Sequence, residues 1–184
     1  MERKSSQKIL GVHISDDLSW TRHCQELCRK AYSRMAMISK LKYVGVKIED
    51  LIDIYIRYIR SLTEYCSVAF HSSLTVEQSN RIERIQKTCL RVILSDMYVD
   101  YQAALEMTGL ESLSDRREQR ALKFSMKAIK HERNRKLFPL NPTAGIFNTR
   151  YSERFYVNFA STSAYRNSAI PYCQRLLNEA FKNK

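Results

Sequence analysis

Residues 19–45, SWTRHCQELCRKAYSRMAMISKLKYVG, decide the fold class. Trp20, Cys24, Leu27, Ala31, Met35, Ile38 and Leu41 recur at steps of four, three, four, four, three and three. That spacing marks one face of an α-helix, and Gly45 is placed to close it, because glycine accepts the left-handed conformation of a helix C-terminus. The same period continues from Ile48 to Phe70, through Ile48, Leu51, Ile52, Tyr55, Tyr58, Ile59, Leu62, Tyr65 and Cys66. Thr75-Val76-Glu77-Gln78 fits a capping box ahead of a third helix that carries Ile82, Ile85, Cys89, Val92 and Ile93 on one face. A short helix over Tyr101–Met107 ends near Gly109, and Ser112-Leu113-Ser114-Asp115 caps another running to about Glu132.

Outside these helices the pattern changes. Lys8–Ile14 reads as a short strand, followed by turn chemistry at Ser15-Asp16-Asp17, whose carboxylates can bond the backbone just ahead. Past Leu137-Phe138-Pro139 the helical period is lost; Phe155, Val157 and Phe159 alternate like a strand, and Pro171 opens a last helix to Phe181. The expected chain is therefore mainly α. A strand and turn occupy 1–18, a thumb-like helical bundle 19–134, and a small mixed appendage 135–184.

Composition agrees. Only 4 Gly and 3 Pro occur in 184 residues, too few for the turns of a β-sandwich or for collagen. Hydrophobic residues at 44% exclude a disordered chain. No apolar run approaches the roughly 18 residues of a membrane helix, and the opening residues lead into no signal-peptide core. Five scattered cysteines argue against a disulfide framework and for an intracellular location, nuclear or cytoplasmic.

The charge is informative. Lys+Arg number 31 against 19 Asp+Glu, a net +12. Arg116, Arg120, Lys123, Lys127 and Lys130 step by four, three, four and three along one helix face, while Ala121, Phe124, Ser125, Ala128 and Ile129 fall opposite. Arg84, Lys87 and Arg91 repeat the device on the preceding long helix. Aligned cations repel one another unless an anion lies alongside, and the phosphates of a nucleic-acid backbone are a fitting one. A solvated helix face is the competing reading. Arg57 and Arg60 can meet phosphate, or pair with Asp53 and Glu64.

Catalytic chemistry finds little footing. Asp16-Asp17 is a paired carboxylate, but in a turn before a helix, where capping accounts for it. Cys24 and Cys28 share a helix face beside His23. A zinc site needs further converging ligands, and buried cysteine is the simpler reading. No metal or cofactor is expected. Nucleotide-loop, zinc-protease and hydrolase motifs are absent, and the four histidines form no ligand spacing.

Several ordered motifs resemble the region downstream of the polymerase palm in reverse transcriptases of non-LTR retrotransposons. Ile9-Leu10-Gly11-Val12-His13-Ile14, followed by Asp17-Leu18-Ser19-Trp20 and His23, is similar to that family's LGV-to-W-x-x-H segment. Arg60–Cys66, Ile82-Glu83-Arg84-Ile85-Gln86-Lys87, and Gly109-Leu110-Glu111-Ser112-Leu113 with Arg116-Arg117 are similar to later motifs. Asn148-Thr149-Arg150 and Arg175-Leu176-Leu177-Asn178 are similar to its C-terminal elements.

The resemblance implies a primer-grip-like strand with Leu10, Gly11 and Val12. It also implies a thumb that clamps a template–primer duplex, either an RNA–DNA hybrid or duplex DNA, with the remainder of a polymerase as a partner. The family's [YF]-x-D-D pair has no counterpart, since Tyr98-Val99-Asp100-Tyr101 holds one Asp. A non-catalytic fragment, not an enzyme on its own, is the expectation, with no membrane role. The alternative is a helical protein-interaction module with no nucleic-acid role. The LGV segment also resembles the short region preceding the oxygenase of an AlkB-type tRNA-modifying protein. The ligand triad and barrel strands of a dioxygenase are missing, so no such chemistry is expected.

Overall fold

The computed structural model describes residues 5–142 and 154–182. The fold is mainly α, with one two-stranded antiparallel sheet. Contacts divide the chain into two compact units: residues 1–67 with 74–117, and residues 68–73 with 118–184. This differs from the sequence-based segments 1–18, 19–134 and 135–184. The division falls inside a helix because the apolar face beyond residue 118 packs with the C-terminal helix.

The first unit opens with β1 (Ser6–Ile9) and β2 (Val12–Ser15), paired from Ser6↔Ser15 to Ile9↔Val12. The single strand expected over Lys8–Ile14 is thus a hairpin. Leu10 and Gly11 both take positive φ, 46° and 87°, as a two-residue turn with the right-handed strand twist requires. Glycine makes the second position easy, and Leu10 accepts the first with its side chain 84% exposed. Asp17 then accepts a 2.9 Å bond from the Ser19 amide, which holds its carboxyl below the usual range.

Helix α1 (Thr21–Tyr43) buries His23, Cys24, Leu27, Cys28, Ala31, Met35 and Ile38. Its end is a Schellman closure: Gly45 (φ 85°) donates to Lys42 and Val46 to Leu41. Next come α2 (Ile48–Ile54), a π-helical segment Tyr55–Arg60 and α3 (Ser61–Glu64). The wider π turn resets the phase, so the buried positions Leu51, Tyr55, Ile59 and Thr63 recur every four residues. Tyr58 and Tyr65, expected in the stripe, are therefore exposed. The helix also stops short of Phe70: Tyr65 is extended (ψ 126°) and Cys66 has φ 52°. Tyr65 instead donates its hydroxyl to the Leu10 carbonyl at 2.9 Å, tying down the hairpin tip.

Helix α4 (Ser67–Phe70) is a single turn. Helix α5 (Val76–Leu94) begins with the expected capping box, Thr75 Oγ1 accepting from Gln78 N and Gln78 Oε1 from Thr75 N. It packs along α1 through Ile82, Ile85, Cys89 and Ile93. Helix α6 (Tyr101–Thr108) is capped by Asp100, whose Oδ1 accepts from Ala103 N at 2.8 Å, and closes on Gly109 at φ 63°. Helix α7 (Leu113–Ala128) starts under Ser112, whose hydroxyl accepts from Asp115 N. It tightens to three-residue hydrogen bonds after Ala128, short of Glu132.

The second unit centres on Ala121, Ala128, Phe138, Phe155, Cys173, Leu176 and Leu177. It contains the short helices α8 (Glu132–Arg135) and α9 (Ser163–Arg166), then α10 (Ala169–Lys182). Phe124, expected on the core face of α7, is 40% exposed, because Ala121, Ser125 and Ala128 define that face. No strand forms at 155–159. Phe155 makes one isolated bridge with Leu140, and its backbone N–H and C=O are both satisfied by the Asn178 side chain, at 2.8 and 3.0 Å. Pro171 sits inside the first turn of α10, where its missing N–H costs nothing. Among the described residues, no helix is long and apolar enough to cross a membrane.

Candidate nucleic-acid interface

The first cation of the predicted stripe is taken by the fold. Arg116 bonds Glu64 through Nε and through Nη2 (3.2 Å), and Glu111 through Nη1 (3.3 Å). Its side chain is only 24% exposed. Arg60 also approaches Glu64, at 3.8 Å. The Glu64 hydrogen bond raises the Arg116 pKa, whereas burial, then the nearby Arg116 charge, lowers that of Arg60. Arg116 is thus corrected from phosphate contact to internal ion pair. The first turn of α7 lies against α3 and α5, and Glu64 is buried there. Arg117 beside it is fully buried and donates to Ser79 Oγ at 3.0 Å.

Two residues quoted above only as members of a motif, Glu83 and Gln86, organise this region. Glu83 accepts from the Leu113 and Ser114 amides at 2.9 and 3.1 Å, and from the Tyr101 hydroxyl. A carboxylate thus satisfies the orphan donors at the positive end of α7. Gln86, fully buried, accepts from Tyr55 OH at 2.5 Å and donates to Tyr101 OH and the Glu111 carbonyl, both at 2.9 Å. Burial, followed by the Glu83 bond, raises the Tyr101 pKa; burial likewise raises that of Tyr55. The signal was available in sequence: Glu83 and Gln86 each adjoin a core position, Ile82 and Ile85, and a polar residue beside a buried stripe needs a partner.

The rest of the stripe is exposed. Arg120, Lys123 and Lys127 lie along α7, with Lys130 just beyond it. At 1.5 Å rise per residue, Arg120 to Lys127 spans about 10 Å. All four belong to the second unit, which holds 13 Lys+Arg against 4 Asp+Glu, a net +9. The first unit holds 18 against 15, a net +3. Its own row, Arg84, Lys87 and Arg91 on α5, is exposed. Lys87 lies over the Tyr101 ring at 4.8 Å and Arg91 over Tyr98 at 5.2 Å. Arg57 makes a 3.7 Å surface pair with Asp53.

The remaining candidates are structural in their surroundings. Leu10 projects from the hairpin tip, Gly11 packs against the Tyr65 ring, and Val12 is buried. Burial pushes the Cys24 thiol up to about 11 and raises that of Cys28. Burial, assisted by the His13 charge, lowers His23 to about 4. Among the described residues, no group of three His, Cys, Asp or Glu is placed to hold a metal ion. Asp100 is a helix cap, as above. Asn148, Thr149 and Arg150 lie outside the described residues. The first unit also carries a groove of about 480 Å³, lined by Ile48, Ile52, Ile56, Leu94, Met97 and Met107 with Glu49 and Asp53. No protein-family model, curated protein or solved structure matches the chain.

Proposed function

We propose that this chain binds the phosphate backbone of nucleic acid, as a thumb-like element related to non-LTR retrotransposon reverse transcriptases. The observation that carries the reading is the concentration of charge. Nine of the twelve net positive charges fall in the second unit, where Arg120, Lys123, Lys127 and Lys130 form an exposed row. Three motifs that are separate in sequence, those containing Glu64, Glu83 with Gln86, and Glu111 with Arg116-Arg117, supply one set of hydrogen bonds and ion pairs. The family's catalytic Asp pair is not in this sequence, so the proposed role is binding.

A labelled RNA–DNA hybrid titrated at two salt concentrations tests this. Four phosphate contacts give a salt slope near −3.6, so a threefold rise in salt weakens binding about 50-fold. The variant R120E/K123E/K127E/K130E should lose both affinity and slope. Affinity indifferent to salt, or unchanged in the variant, refutes the reading. Docking of an apolar partner is the second reading. It rests on the groove beside α2, where Met97 and Met107 are about half exposed, and it would be nearly insensitive to salt.

A further inference from the structure

The second unit has a pocket of about 120 Å³ lined by Ile129, Phe138, Leu140, Phe155 and Phe181, with Arg135 and Arg154. Phe138 and Phe155 are buried and contribute to its wall. Phe155 and Phe181 are tilted at 45° with ring centroids 5.8 Å apart. The Arg154 guanidinium lies over the Phe181 ring at 4.6 Å, and Arg135 and Arg154 are exposed. Among the described residues, no Asp or Glu lines the pocket. An aromatic wall asks for a flat, weakly hydrated ring, and two guanidiniums at the mouth ask for an anion such as phosphate.

We propose that this pocket takes one unpaired nucleotide, its base among the phenylalanines and on the Arg154 plane, its phosphate at Arg135 and Arg154. Bases stack on aromatic rings and on arginine planes in single-stranded sites because every base has a π face. The inference rests on the backbone-binding reading and adds to it a preference for an end or gap where a base is free. A strand and a free mononucleotide present the same chemistry.

The full chain is titrated with a blunt hybrid duplex and with the same duplex carrying a short single-stranded overhang. Free adenosine monophosphate serves as competitor. The overhang should tighten binding roughly fivefold or more, and adenosine monophosphate should erase that gain. Leu140 is 53% exposed at the pocket mouth, so L140W fills the pocket from the surface. L140W and R135A/R154A should each abolish the overhang gain.

Equal affinity for both duplexes overturns the proposal. So does L140W weakening both equally, or an acidic aromatic peptide competing where adenosine monophosphate does not. If the blunt duplex fails to bind while a single-stranded oligonucleotide binds in an L140W-sensitive manner, the backbone reading falls and the pocket stands. If neither nucleic acid binds, both fall.

Discussion

Removing the Glu83 carboxylate tests the account of how α7 is anchored. In Glu83→Ala the amides of Leu113 and Ser114 and the Tyr101 hydroxyl lose their acceptor. An uncapped helix amide costs about 1 kcal/mol, and a partly buried donor left without a partner costs about 1–3 kcal/mol. Two amides and one hydroxyl, with some solvent access, give a loss of about 3–5 kcal/mol. Glu83→Gln keeps the volume and one acceptor oxygen but turns an amide donor toward an N–H, so about 2 kcal/mol should be lost. Urea denaturation of the full chain measures both. The only tryptophan, Trp20, lies in the first unit, so its fluorescence reports that unit's unfolding. A loss under about 1 kcal/mol for Glu83→Ala would show that capping by Glu83 is not what holds the start of α7.

Arg116→Ala should destabilise by about 2–3 kcal/mol, because the buried Glu64 carboxylate loses both of its bonds to the Arg116 guanidinium; the salt slope of nucleic-acid binding should not change. The His23 ring is buried and its pKa is lowered to about 4 from an ordinary 6.5, so the unfolded chain binds the proton more tightly. Stability is therefore fully present above about pH 6.5 and falls by about 3 kcal/mol toward pH 4; His23→Gln should flatten that pH dependence in denaturation curves. Gly45→Ala should cost about 1 kcal/mol through backbone strain alone, since an added Cβ meets nothing within 4 Å. Leu10→Asn should stabilise the hairpin by roughly 0.5–1 kcal/mol, since Asn tolerates the positive φ; thermal unfolding checks both turn variants.

The helices were legible because their signals are local. The steps of α1, the Thr75 box and the glycines at 45 and 109 each act within a turn or two of chain. The misreadings share a different origin. Residues 155–159 alternate as a strand would, but Asn178, twenty-three residues away, takes both backbone groups of Phe155. The π-helical turn at 55–60 shifts which tyrosines are buried, and periodicity at 3.6 residues has no term for it. Arg116 illustrates the same limit at the candidate site. Its spacing matches Arg120 and Lys123, yet Glu64, fifty-two positions earlier, folds against it. Arg120, Lys123, Lys127 and Lys130 are exposed, as their spacing opposite Ala121, Ser125 and Ala128 implies.

The Glu83 carboxylate has a directional consequence. A helix commonly receives a polyanion end-on, amides first; here that berth is already occupied by an internal anion, which would repel a second. On the proposed backbone-binding reading, a strand would meet α7 broadside, toward its carboxyl end. There Lys127 and Lys130 offset the negative pole of the helix.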